Sequence, residues 1–198
     1  MRETVAAAVA FALLIAVPAL AVDDDVLGWQ GFRWGISESD ALTASEASGL
    51  RVERKDTRAS YEGGFYSPFE SVITLHEAPF TVKFMFLRDT RALGKVHLHS
   101  LKLLPKSLIR PGTPPPPRHT LFEPVHAQIL QSLTEKYGPP KLVQAEPTGI
   151  VEPNAVWTFP TTTITLTGLV RPADRSWPIA IIYMPTAVPS KKDEKQKL

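Results

Sequence analysis

The stretch from Phe69 to Phe86, FESVITLHEAPFTVKFMF, decides how this chain folds. Phe69, Ser71, Ile73 and Leu75 alternate with Glu70, Val72, Thr74 and His76, and Phe80, Val82, Phe84 and Phe86 then line one face of a second run. A period of two puts every other side chain on the same side of an extended chain, so the pattern predicts two strands sharing one buried face. Glu77-Ala78-Pro79 reads as the turn between them. A third run, Val96 to Leu104, follows Gly94, and three strands in succession make an antiparallel meander the simplest arrangement. Arg51 to Lys55 is polar enough to be an edge strand or a loop.

Upstream of the meander lies Gly28-Trp29-Gln30-Gly31-Phe32-Arg33-Trp34-Gly35-Ile36-Ser37, an aromatic approach to a helix start. Ser37 can cap free backbone amides, Asp40 follows three residues on, and Ile36 can staple back against Ala41. That helix should stop by Gly49, which takes the left-handed conformation a helix end favours. Trp29, Phe32 and Trp34 read as packing partners of the helix before they read as a recognition patch.

Downstream, Pro111-Gly112-Thr113-Pro114-Pro115-Pro116-Pro117 lacks most of its backbone donors and reads as an extended connector. The order then repeats. Glu123 can cap, Pro124 fits a first helical turn, and Val125, Ile129, Leu133 and Tyr137 fall on one face of a helix that stops at Gly138-Pro139-Pro140. Strands follow at Lys141 to Ala145, at Ala155, Trp157 and Phe159, at Ile164 and Leu166, and at Ile179, Ile181 and Tyr183. Thr161, Thr162, Thr163, Thr165 and Thr167 suit a solvated sheet face.

The expected architecture is therefore α+β, with two successive helix-then-antiparallel-sheet halves of about four strands each, joined by a Pro-rich connector. The divisions are residues 22–110, the connector 111–118, residues 119–186 and a charged tail at 187–198. A single helix on a small sheet buries little area, so the halves should share a continuous sheet or face each other. The alternation alone leaves both arrangements open.

The first residues carry an address. Val5 to Val17 is unbroken apolar, Pro18 breaks it, and Ala19-Leu20-Ala21 is the small-x-small pattern a signal peptidase cuts, with cleavage after Ala21. The run is shorter than the ~20 residues a spanning helix needs, so an uncleaved anchor is the weaker alternative. The expected product is periplasmic or secreted and not transmembrane after processing. With no cysteine in the chain, lipid anchoring, disulfides, thiolate metal sites and cysteine nucleophiles are all excluded. With 43% hydrophobic and 21% charged residues, the composition is that of a folded globular domain.

Two features bear on chemistry. His97-Leu98-His99 places two imidazoles on one face of a strand, where His76 or Glu77 from a neighbour could complete a metal site. A metal-binding protein or metallohydrolase using His97 and His99 is the alternative this pattern raises. The second feature is charge. Between Asp89 and Glu123 there is no acid, while Arg91, Lys95, Lys102, Lys106, Arg110 and Arg118 supply six positive charges in a chain whose net charge is +2. Such a strip suits an anionic partner outside the cytoplasm, such as lipid headgroups, wall polymer or an acidic protein face. A nucleic-acid partner is not expected at that location. No nucleophile elbow or phosphate loop is present, and nothing in the residues calls for a cofactor.

Trp34-Gly35-Ile36-Ser37, with Phe32 and Arg33 before it and Ala41 behind, resembles the Trp-Gly-x-Ser helix start of many small exported bacterial proteins. More remotely, helix-then-sheet halves resemble those of the outer-membrane assembly lipoprotein and beta-lactamase-inhibitor-like families, which act by binding proteins. The motif covers under a tenth of the chain, the lipid-anchor cysteine is missing, and only the first half carries the Gly-x-Ser pattern. The resemblance implies a binding module of the envelope and assigns no functional residue. The function expected on all these grounds is a non-catalytic exported module that binds a protein or an anionic envelope component.

Overall fold

The structure, a computed structural model, describes residues 25–55, 64–100, 103, 112, 121–143, 154–168 and 178–186. The expected signal segment with its cleavage position Ala21, the cations Lys102, Lys106, Arg110 and Arg118, the connector apart from Gly112, and residues 187–198 lie outside the described residues.

The fold is α+β, with one large antiparallel sheet and, among the described residues, two helices. Strands β1 (Gly28–Trp29) and β2 (Phe32–Arg33) form a small hairpin closed by Gln30 and Gly31. Helix α1 (Glu38–Ala47) follows, then β3 (Val52–Arg54), β4 (Phe65–Leu75), β5 (Ala78–Leu87) and β6 (Leu93–Ser100). Helix α2 (Phe122–Tyr137) leads into β7 (Lys141–Val143), β8 (Asn154–Thr158), β9 (Thr162–Gly168) and β10 (Ile179–Pro185). The strands do not form two separate sheets. They make a single sheet in the order β3-β4-β5-β6-β10-β9-β8-β7.

The seam is the pairing of β6 with β10, which sets Val96 against Tyr183, His97 against Ile182, Leu98 against Ile181 and His99 against Ala180. Both strands alternate apolar residues on one side, so joining them removes two exposed edges and makes their apolar faces continuous. The edges that remain, β3 and β7, are three residues long each, which limits unwanted strand pairing.

Alternation then assigns the faces. Phe69, Phe80, Val82, Phe84, Val96, Leu98, Ile181, Tyr183, Ile164, Leu166, Ala155 and Trp157 belong to one buried cluster, together with Val125, Ile129 and Leu133 of α2, Ala41 of α1, and Trp29 and Phe32 of the hairpin. Both helices and the hairpin therefore pack on the same face. Gly168 marks how closely α2 approaches, since a Cβ there would sit 2.6 Å from Cζ of Phe122.

The local signals at the helix starts work as the residue types require. Ser37 Oγ accepts from the Asp40 amide at 3.2 Å and caps α1. Helix α2 begins at Phe122 with no side-chain cap, Pro124 lies in its first turn, and it ends at Gly138, whose φ is 79°. Two expectations need correction. The β4–β5 turn is His76-Glu77, both left-handed at φ 47° and 64°, and Ala78 and Pro79 belong to β5. A two-residue turn with both residues left-handed matches the right-handed twist of the flanking strands. The threonines do not form a uniformly solvated face either. Thr162 is fully buried, accepting from Trp34 Nε1 at 2.8 Å and donating to the Val26 carbonyl, and Thr167 is buried as well. Asp25 reaches the same corner, where its carboxylate accepts from the Thr161 amide at 2.9 Å. Residues 25 and 26 are thus tied to the start of β9. No helix among the described residues is long and apolar enough to cross a membrane.

Candidate functional site

The face of the sheet away from the helices carries the residues that the sequence marks for chemistry. Because His97 and His99 alternate with Val96 and Leu98, which are in the core, both imidazoles point to this side. Their ring centroids are 5.5 Å apart. Strand register adds the neighbours: Lys83 stands directly opposite His97, Thr81 opposite His99, and Met85 opposite Lys95 on β5. On β10, Ile182 and Ala180 flank the two histidines. Lys95, His97, His99 and Lys83 thus make one band across the two central strands of the first part of the chain.

Within the band His97 is held neutral, chiefly by burial. Its pKa is lowered from 6.5 to about 4, first by burial and then by His99, Lys95 and Lys83. Glu70 stands opposite Lys83 on β4. It is already engaged by Lys55 at 3.1 Å, which also holds Glu53 at 2.9 Å. Hydrogen bonds to those two carboxylates raise the Lys55 pKa, Glu53 first. Lys95 places its ammonium 5.5 Å from the centre of the Phe65 ring, so its stem lies along an aromatic surface while its charge stays on the band.

A stability consequence follows from the lowered pKa of His97. A histidine held neutral in the fold takes up its proton more readily when unfolded, so its contribution is complete above about pH 6.5 and is lost as the pH falls from 6.5 toward about 4. Denaturation midpoints compared at pH 7 and pH 4.5 should show a larger acid loss for the wild-type chain than for His97→Gln. The difference is expected to be roughly 1–3 kcal/mol, and equal losses in the two proteins would contradict it.

The structure brings His97, His99 and Lys95 together. It does not bring His76 to them: His76 Nε2 lies 3.1 Å from Ser132 Oγ of α2, on the helix side of the sheet. Among the described residues no group of three or more His, Asp or Glu side chains is placed to hold a metal ion. Lys83 was not legible as a member of the band, because only the β5–β6 register sets it against His97. His126 is buried on α2 and stacks on Phe122 with centroids 5.4 Å apart.

A second concavity lies on the helix side, where the start of α1, the end of β3 and the β5–β6 turn meet. It has a volume of about 460 Å³ and is lined by residues including Ser37, Glu38, Ser39, Arg54, Thr90 and Arg91. Its walls come from three separated segments, so no linear motif could announce it. The backbone ties Gly35 N–H to the Leu93 carbonyl and Leu93 N–H to the Ile36 carbonyl, both at 2.9 Å, which fixes α1 against the turn.

No protein-family model and no curated protein matches the chain. Among solved structures it is similar to a DUF4309 family protein (YjgB) from Bacillus subtilis subsp. subtilis str. 168, with 11% identity over 76% of this chain and 78% of that one. The TM-score of 0.35 is too low for that likeness to carry an argument.

Proposed function

We propose that this chain is an exported, non-catalytic binding module of the cell envelope, which meets an anionic envelope surface through the sheet face opposite its helices. The observation that supports this reading most is that Lys83, Lys95, His97 and His99 share one face of β5 and β6. Lys102, Lys106, Arg110 and Arg118 continue the same acid-free stretch of sequence and extend the attraction. Export rests on Val5 to Val17 and the cleavage pattern at Ala21, and the absence of cysteine fits a released protein that carries no lipid. The order helix then four strands, met twice along the chain, supports a layout of two like units whose sheets are fused at β6 and β10.

A metal site at His97 and His99 is the competing reading, and electrostatics disfavour it. A dication there would stand beside Lys83 and Lys95, which already work against protonation of His97. Elemental analysis of untagged protein separates the two readings, because stoichiometric zinc or another transition metal would favour the metal site.

Sedimentation of residues 22–198 with phosphatidylglycerol-rich vesicles tests the proposal. Binding should weaken steeply with salt and be absent on phosphatidylcholine vesicles. Lys83→Glu combined with Lys95→Glu should lower the affinity at least about tenfold, since each lysine near an anionic surface contributes ~1 kcal/mol. Equal binding to neutral and anionic vesicles, or none to either, would overturn it.

A further inference from the structure

We propose that the cleft between α1, β3 and the β5–β6 turn binds a hydroxylated carboxylate of about one sugar ring in size, such as a uronic acid, with Arg54 and Arg91 holding its carboxylate. This site lies on the helix side of the sheet and is independent of the basic band on the other face.

The anchors are the guanidiniums of two arginines that line one cavity from different elements, Arg54 at the end of β3 and Arg91 in the turn between β5 and β6. Among the described residues neither makes a hydrogen bond or an ion pair, although Glu38 and Asp40 lie at the start of the neighbouring helix. The start of α1 is not itself the attraction. Ser37 already caps the Asp40 amide, its hydroxyl lies 2.8 Å from Asp40 Oδ2, and the two acids of the first turn offset the positive end of the helix.

Arg91 is held where it is at some conformational expense. Its φ is 55°, a left-handed value that an arginine seldom adopts, and its amide donates to the Leu87 carbonyl at 2.8 Å. Thr90 and Ala92 are fixed on either side by hydrogen bonds to Asp89 Oδ1 and Thr90 Oγ1. The Arg91 charge is felt at the Tyr66 hydroxyl, where it partly offsets the burial and the Glu38 bond that push that pKa up to about 12.

The lining selects the ligand. Guanidinium forks match a carboxylate in geometry as well as in charge. Glu38, whose carboxylate accepts from Tyr66, is a remaining acceptor for ligand hydroxyls, and Ser39 and Thr90 add hydroxyls that donate or accept. A neutral sugar would leave both arginines unmatched, and a dense polyanion would meet Glu38. Among the described residues Leu42 is the single large apolar side chain in the lining, which gives an apolar ligand little to bury against. The volume of about 460 Å³ falls within the range of small-molecule sites.

The test is a titration of isotope-labelled protein, followed by amide NMR, with glucuronate, with an oligomer of uronic acids and with glucose. Saturable shifts at residues 35–39 and 90–92 with glucuronate, and none with glucose, are expected for a site that takes the free acid. The same shifts with the oligomer alone would support the site and assign its source to a polymer. Arg54→Gln combined with Arg91→Asn, asparagine being tolerant of the left-handed conformation, should weaken binding at least tenfold while the remaining amides keep their dispersion. Shifts at these residues with glucose equal to those with glucuronate, shifts with neither acid, or unchanged affinity in the folded double variant would each overturn the proposal.

Discussion

Phe84→Ala is expected to destabilise the protein by about 3–5 kcal/mol, with a fall in melting temperature of roughly 6–20 °C. Phe84 is fully buried at the middle of β5. Its ring meets Phe32 at 4.7 Å, Phe69 at 5.2 Å and Trp29 at 5.7 Å between centroids. Two of those partners belong to the β1–β2 hairpin, which has only two residues in each strand and is too small to hold itself in place. Truncating Phe84 therefore opens a cavity and also unseats the hairpin, and the segment that ties Asp25 and Val26 to β9 goes with it. Phe84→Leu keeps most of the volume and should lose far less. Urea denaturation of the three proteins decides the matter, and a loss below about 1 kcal/mol for the alanine variant would show that the aromatic cluster is not the hub described.

The second large effect is expected at the seam of the sheet, from two substitutions one residue apart. Ile181 is buried, with Leu98 on one side and Leu166 on the other in cross-strand register. An aspartate there places an unpaired carboxylate in the core, and Ile181→Asp should leave little soluble folded protein at 37 °C. Ile182 faces the other way, half-buried and directly opposite His97. Ile182→Asp should fold, because its carboxylate meets an electropositive band, and it should raise the His97 pKa from its lowered value. Circular dichroism and an NMR titration of the imidazole read both outcomes. Comparable damage from the two substitutions would contradict the face assignment.

These expectations show where local pattern suffices and where it does not. Period-two alternation in Phe80, Val82, Phe84 and Phe86 assigns a face without further information, and the spacing of Val125, Ile129 and Leu133 does the same for α2. The pairing of β6 with β10 is different in kind. Each strand carries one apolar face whether it is an edge or an interior strand, so nothing local says that they meet. Thr162 illustrates the same limit, since its burial depends on a bond from Trp34, 128 residues away in sequence. At the candidate sites, the common face of His97 and His99 follows from spacing alone. Lys83 and the Arg54–Arg91 cleft do not, because each depends on strands or turns that are distant in the chain.

The most direct test of the central claim, that the sheet face away from the helices meets an anionic surface, is a map of the amides perturbed when phosphatidylglycerol-rich bicelles are added to labelled protein. The account predicts perturbation concentrated at residues 81–85, 95–99 and 180–182. Perturbation confined to α1, α2 and the β1–β2 hairpin, or none at low salt, would contradict it.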